Sequence, residues 1–108
     1  MLPFLGGQLV DINCALGLAL RHVRKSQGMT QEDFEPTSGR VYISKIERGL
    51  HSPSVEKIAE LCAQLRVSPV TLVSLAVLIS EGAADITPLL KELKQELRGF
   101  GVPRTPLT

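Results

Sequence analysis

The chain has 108 residues, 21% of which are charged, and a formal net charge of +1. A chain of this length buries enough apolar surface to fold as one domain without disulfides or metals. Its two cysteines, Cys14 and Cys62, form no disulfide framework and no metal-binding motif. We therefore predict no metal or cofactor, and we expect both cysteines to be small core residues, with a redox switch as the alternative.

Several classes of protein are disfavoured by what the sequence lacks. No segment reaches the roughly 18 uninterrupted apolar residues of a membrane span. The first residues lack the positive charge that precedes the apolar part of a secretory signal, so we expect a cytosolic protein. No nucleophile with a partnered base, no glycine-rich phosphate loop and no paired carboxylates are evident, which argues against an enzyme.

The charges are unevenly distributed along the chain. Residues 21–48 hold six basic residues against four acidic ones, a local excess of two. The basic residues are Arg21, Arg24, Lys25, Arg40, Lys45 and Arg48. If several of them lie on one face, they form a modest patch suited to phosphate groups.

Three helices are predicted in the first half of the chain. Residues 13–27 carry apolar side chains at three- and four-residue spacing and end at Gly28. Thr30, followed by an acidic turn, caps a second helix, which Pro36 limits to about one and a half turns. The third spans residues 39–48, with Ile43, Ile46 and either Val41 or Tyr42 directed inward. The apolar face of the first helix consists of Ile12, Leu16, Ala19, Leu20 and Val23.

Three further helices follow. Ser52 or Ser54 caps the fourth, and Ser68 followed by Pro69 begins the fifth. The fifth is apolar around nearly its whole circumference, so it must be covered by a sixth helix, residues 87–98, or by a second subunit. Residues 99–108 are predicted to be a loose tail. The buried stripe predicted for the fourth helix is Val55, Ile58, Ala59, Leu61, Cys62 and Leu65.

Two short helices joined by a tight turn at residues 36–39 are typical of a helix-turn-helix. The segments GMTQEDF, residues 28–34, and YISKIERGLHSPSVEKIAELCAQLRVSP, residues 42–69, resemble the phage-repressor, or xenobiotic-response-element, helix-turn-helix family. The resemblance extends over residues 18–72, about half of the chain. It implies an all-α, five-helix DNA-binding domain in which the second and third helices form the helix-turn-helix.

The resemblance also implies roles for individual residues. The base-reading positions at the start of the third helix fall on Arg40, Val41, Ser44 and Lys45. Gln31 corresponds to a glutamine that contacts the phosphate backbone and braces the reading helix, and Arg24 and Glu47 match a structural pair. Other residues expected to contact or brace the DNA backbone are Thr30, Ser38, Tyr42, Arg48 and His51.

The chemistry of these residues agrees with the assigned roles. Arginine is the natural bidentate partner of guanine O6 and N7, and an outward Val41 would meet a thymine methyl. Ser44 lies on the same helical face as Arg40, and Lys45 lies beside it. The turn departs from the family pattern, because residues 30–49 are fewer than usual and Glu35 replaces a small alanine.

The sequence therefore predicts a transcriptional regulator that binds double-stranded DNA as a homodimer at an inverted repeat. The resemblance to the family favours a repressor over an activator. We predict an arm at residues 1–12, the DNA-binding domain at 13–81 and a dimerisation helix at 82–98. No small-molecule ligand is predicted. The residues expected at the dimer interface are Leu75, Leu78, Ile79, Leu89, Leu90, Leu93 and Leu97.

Two other functions are compatible with the same fold. One is an antitoxin, or an immunity or restriction-controlling regulator, whose C-terminal helix binds a partner protein. The other is a protein-interaction module that no longer binds DNA, which the short turn and the low net charge permit.

Overall fold

The computed structural model describes residues 10–104. Within that range the chain folds into five α-helices and one 3₁₀ helix, with no strand, which confirms the all-α prediction. Residues 1–9 of the predicted arm and 105–108 of the predicted tail lie outside the described residues. The elements in chain order are α1 (Ile12–Ser26), the 3₁₀ helix (Gln31–Phe34), α2 (Arg40–Glu47), α3 (Val55–Leu65), α4 (Pro69–Glu81) and α5 (Thr87–Phe100).

Short polar side chains begin three of the helices by accepting hydrogen bonds from free backbone N–H groups. The carboxylate of Asp11 accepts from Asn13, at 3.1 Å, at the start of α1. Of the two serines considered for α3, Ser54 is the cap, and its hydroxyl accepts from the Lys57 N–H at 3.0 Å. Ser68 caps α4 in the same way.

The second predicted helix is a single 3₁₀ turn and not an α-helix. The start of the turn is fixed by its cap residue, Thr30, whose N–H donates a hydrogen bond to the Asp33 carboxylate at 2.7 Å. Phe34 is fully buried and fixes the other end in the core. Pro36 has no N–H to donate to the carbonyl of Glu32, and the residue before it, Glu35, is extended, since a proline disfavours helical backbone in the residue that precedes it. The helix therefore ends at Phe34.

Two adjoining clusters of buried side chains form the core, and α1 contributes to both. One joins α1, α3 and α4 through Ala15, Leu16, Ala19, Cys62, Leu72 and Ala76. The other joins α1, the 3₁₀ helix, α2 and α3 through Leu20, Phe34, Ile43, Ile46, Leu61 and Leu65. Helix α1 therefore fixes the position of α2 relative to the rest of the molecule.

A glycine allows α1 and the end of α2 to approach closely. A Cβ atom on Gly17 would lie 2.3 Å from the carbonyl oxygen of Ile46 and 2.7 Å from that of Glu47. Both contacts are with backbone atoms, which cannot turn aside as a flexible side chain does. The approach of these two helices therefore requires the absence of a side chain at Gly17.

Four residues of α1 and α3 that were predicted to be buried are exposed. Ile12 and Val55 stand at the first turns of α1 and α3, before these helices reach the core. Ala59 lies on the flank of α3, beside the buried row. Cys14 is also exposed, and it lies beside the turn at Gly49 that follows α2.

Cys62 is buried as predicted. Burial raises the pKa of its thiol, since a low-dielectric environment disfavours the charged thiolate. The thiol of Cys62 is therefore neutral at physiological pH, as expected for a packing residue.

The fifth predicted helix, α4, is not covered all round. Leu72 and Ala76 are buried against the core, but Val70 and Val73 are exposed. Helix α5 lies beside them and leaves a groove of about 350 Å³ between the two helices. It has no buried residue, so within the described residues it shields α4 only in part.

Helix α5 ends at Phe100, so the first two residues of the predicted tail are helical. Over residues 10–104, no helix by itself has both the length and the apolar character to cross a bilayer. Helices α3 and α4 meet those criteria only when taken together, and they are bent by 106°.

We expect Gly17→Ala to lower the free energy of unfolding by about 3 kcal/mol, because the new methyl group has no space between two helices. The matched control is Gly99→Ala in α5, where a Cβ atom meets nothing within 4 Å and alanine improves helix propensity by up to about 1 kcal/mol. Urea denaturation of both variants measures the effect. Equal stability of the two variants would contradict the close packing of α1 against α2.

Candidate nucleic-acid interface

The outward side of α2 presents the four residues predicted to read bases. Arg40, Val41 and Lys45 are exposed and Ser44 is half-buried. Val41 is 68% exposed although it is apolar, so of the two candidates for an inward position it is the one that points to solvent. This outward side, formed by Arg40, Val41, Ser44 and Lys45, is called the reading face below.

The opposite side of α2 is anchored by a buried ion pair between helices. Arg24 of α1 donates from Nε to Glu47 Oε2 at 2.6 Å and from Nη2 to Oε1 at 3.0 Å. The two side chains are only 8% and 4% exposed. The hydrogen bonds from Arg24 to Glu47 raise the pKa of the guanidinium, so this charge is permanent in the folded protein.

The same pair organises the segment that precedes α2. Arg24 Nη1 donates to the carbonyl oxygen of Met29 at 2.9 Å, which fixes the chain just before the 3₁₀ helix. Gln31 Nε2 donates to Glu47 Oε1 at 3.0 Å. Gln31 is therefore in contact with the end of α2, while its contact with phosphate stays a prediction.

A second polar cluster lies at the turn before α2 and includes a residue that the sequence analysis missed. Lys57 Nζ donates to the hydroxyl of buried Ser38 at 3.2 Å and to the carboxylate of Glu60. The same ammonium group lies 5.5 Å from the ring centre of Tyr42. The hydrogen bond to Glu60 raises the pKa of Lys57.

This second cluster joins the first turn of α3 to the turn and to α2. No motif marks Lys57, because its proximity to Ser38 and Tyr42 depends on how α3 packs against the turn. The one available signal is its place in the first turn of a helix capped by Ser54, since the first turn is where a helix meets anions.

The other residues predicted to face the DNA backbone lie around the reading face. The ring of His51 meets the ring of Tyr42 edge to face, with centroids 4.9 Å apart. Tyr42 is half-buried and His51 is exposed. Arg48 is exposed and donates from Nε to the Ser44 carbonyl at a long 3.4 Å, while Thr30 is the cap of the 3₁₀ helix.

One member of the reading face has a charged partner. Arg40 Nε lies 3.4 Å from Glu32 Oε2, and the two side chains are 66% and 57% exposed.

Residues 10–104 contain no group of three or more His, Cys, Asp or Glu side chains that is arranged to hold a metal ion.

We expect Glu47→Gln to lower the free energy of unfolding by about 3 kcal/mol or more, because it leaves the buried Arg24 charge without a counter-charge. Glu32→Gln removes the partner of an exposed pair and should cost less than about 1 kcal/mol. Urea denaturation at pH 7 measures the free energy of unfolding of both variants. The anchoring role of the buried pair is refuted if the two substitutions have the same small effect.

Comparison with known proteins assigns the fold to a family. A helix-turn-helix family model matches residues 20–72. An uncharacterized HTH-type transcriptional regulator, y4dJ, from Sinorhizobium fredii is 37% identical over 67 residues, which cover 60% of this chain and 87% of that protein.

Solved structures of two proteins, ClgR and NHTF, are similar to this one. The clp gene regulator ClgR from Corynebacterium glutamicum superposes with a TM-score of 0.63 at 28% identity, over 67% of this chain and 95% of that one. A second ClgR structure gives the same TM-score at 26% identity, over 84% of this chain and 95% of that one.

A hypothetical transcription factor from Neisseria, NHTF, gives a TM-score of 0.54 at 26% identity, over 68% of this chain and 86% of that one. The ClgR and NHTF structures share the fold of the matched part of this chain. The chain belongs to the Cro/C1-type helix-turn-helix family of transcriptional regulators.

Proposed function

We propose that the chain is a sequence-specific DNA-binding transcriptional regulator, and that it acts as a repressor by binding an inverted repeat as a homodimer. The observation that carries this proposal is the two-sided construction of α2. One side is fixed by the Arg24–Glu47 pair, and the other leaves the reading face open to solvent. A rigid helix with polar and basic side chains on its free side fits the major groove, which is about 12 Å wide.

The elements on either side of α2 supply candidates for phosphate contacts, which hold a reading helix in register. Before α2 stand Thr30 and Gln31, at the start of the 3₁₀ helix. After α2 stand His51 and the first turn of α3, to which Lys57 adds an ammonium group that is paired with Glu60. We add Lys57 to the residues that face the backbone, because its ammonium group lies between Ser38 and Tyr42.

The proposal that the protein is a homodimer rests on the uncovered apolar surface of α4 and α5. Leu90 and Leu97 are 52% and 54% exposed, and Val70 of α4 is 61% exposed. A helix with one apolar side is normally stabilised by packing that side against another element. A two-fold pair would bury this surface and hold two reading faces about 34 Å apart, the spacing of one DNA turn.

The other predicted interface residues differ in exposure. Leu75, Leu78 and Ile79 are half-buried on α4, and Leu89 and Leu93 are half-buried on α5. Leu75 and Ile79 also pack against the core cluster that joins α1, α3 and α4, so only the rest of their surface would contribute to the inner part of the proposed interface. Leu90 and Leu97 form its exposed part. Repression would follow where the site overlaps a promoter, since the bound dimer would exclude the polymerase from the same DNA.

Selection of bound fragments from genomic DNA at near-physiological salt tests DNA binding. We expect the wild type to enrich an inverted repeat, and the double variant Arg40→Ala, Lys45→Ala to lose that enrichment. The charge-matched control is Lys94→Ala, Arg98→Ala on α5, which should retain it. Enrichment that survives the Arg40 and Lys45 changes would place the reading surface elsewhere.

Salt dependence distinguishes DNA binding from the protein-interaction alternative. Each phosphate contact lowers the slope of log affinity against log salt by about 0.9. A wild type that enriches no DNA and shows no such slope would favour a module that binds only protein. Capture of a toxin-like partner encoded beside the gene would favour the antitoxin alternative.

We expect Leu90→Asp, Leu97→Asp to convert the dimer to a monomer, because both side chains are exposed in one chain and buried in the pair. Their exposure also means that the monomer should stay folded. Sedimentation equilibrium at micromolar concentration gives the mass of each variant. The control is Val55→Asp, the same kind of change at an exposed valine of α3, which should leave the dimer intact. A wild type that is monomeric both alone and on DNA would exclude the homodimer.

A further inference from the structure

The contact between Arg40 and Glu32 brings a carboxylate to the edge of the reading face. Arg40 is the first residue of α2, and Glu32 belongs to the 3₁₀ helix. The short turn between these elements leaves the two side chains on the same side of the molecule, with Arg40 Nε 3.4 Å from Glu32 Oε2. Glu32 is thus the acidic group in contact with the arginine assigned to base reading.

The atom of Arg40 that Glu32 contacts is informative. A guanidinium has five N–H donors in a fixed plane, and a carboxylate has only acceptors. Glu32 contacts Nε, whereas Nη1 and Nη2 form the end edge of the guanidinium, so a carboxylate at Nε does not block that edge. Guanine presents two acceptors, O6 and N7, on its major-groove edge, and a pair of parallel N–H donors fits them.

The carboxylate also affects where the guanidinium points. An exposed arginine samples many rotamers, and a contact on one edge of its planar fork reduces that freedom without occupying the opposite edge. The ion pair adds little to stability in water because both groups are well solvated. In a groove that excludes water, the same ion pair is stronger.

We propose that Glu32 is a positioning residue that orients Arg40 so that Nη1 and Nη2 read a guanine in each half-site. This inference rests on the proposed DNA-binding function and names the base that the reading face selects. Glu32 itself makes no contact with the base. Its negative charge lowers the affinity for all DNA, but its contact with Arg40 raises the preference for guanine at one position.

The test compares Glu32→Gln with Glu35→Gln. Both substitutions remove one negative charge from the same exposed segment, so both should strengthen binding to unrelated DNA equally. We measure affinity by fluorescence anisotropy for the selected site and for sites in which each guanine is replaced in turn. Glu32→Gln should lower the preference for one guanine by about tenfold, while Glu35→Gln should leave it unchanged.

The same measurement in an Arg40→Ala background shows whether Glu32 acts through Arg40. There the preference for that guanine should already be lost, and adding Glu32→Gln should change nothing further. The inference is overturned if the wild type prefers that guanine and Glu32→Gln retains the preference, or if Glu32→Gln lowers it in the absence of Arg40. A wild type that selects no DNA would refute the proposed function and this inference together.

Discussion

The buried ion pair between Arg24 and Glu47 is the interaction on which the rest of the structure depends. It joins α1 to the end of α2 through two hydrogen bonds. It also holds Met29, just before the 3₁₀ helix, and Gln31, the first residue of that helix. Removing two charges from water is expensive, and only good geometry with further hydrogen bonds offsets that cost. The cluster therefore specifies one orientation of α2, which leaves the reading face outward.

Close packing supports the same orientation. Gly17 lets the backbone of α1 touch the last carbonyl groups of α2, while Ile43 and Ile46 fill the space beneath it. The helix is short, only eight residues, and a helix of that length is not stable alone in water. Its conformation therefore comes from these contacts, and the proposed function needs them because a reading helix must not move in the groove.

Much of the fold could be predicted from the sequence, because helix boundaries are set by local chemistry. Ser68 with Pro69, and Gly49 after α2, mark boundaries through properties of those residues alone. Periodicity predicts burial less reliably, because it shows which face of a helix a residue lies on but not where along its length the helix meets the core. Val55 lies on the predicted apolar face of α3, but it is exposed because it stands before the helix reaches the core. The second predicted helix is present, but it is a single 3₁₀ turn, because its few residues are governed by Phe34 and the following turn.

The contacts of the candidate site were likewise only partly predictable from the sequence. The resemblance supplied Arg24, Glu47 and Gln31, whose contacts depend on a packing arrangement shared by the family. It did not supply Lys57 or the contact of Glu32 with Arg40, because both depend on the path of the shortened turn. Those contacts follow from tertiary structure, and no spacing in the sequence encodes them.

The central claim is that the reading face and its neighbours contact DNA. Its most direct test is a titration of the ¹⁵N-labelled protein with a selected duplex, in which the amide chemical shifts are followed by NMR. The account predicts that the shifts concentrate in the 3₁₀ helix, in α2 and in the first turn of α3. Shifts confined to α4 and α5, or no shifts at low salt, would contradict it.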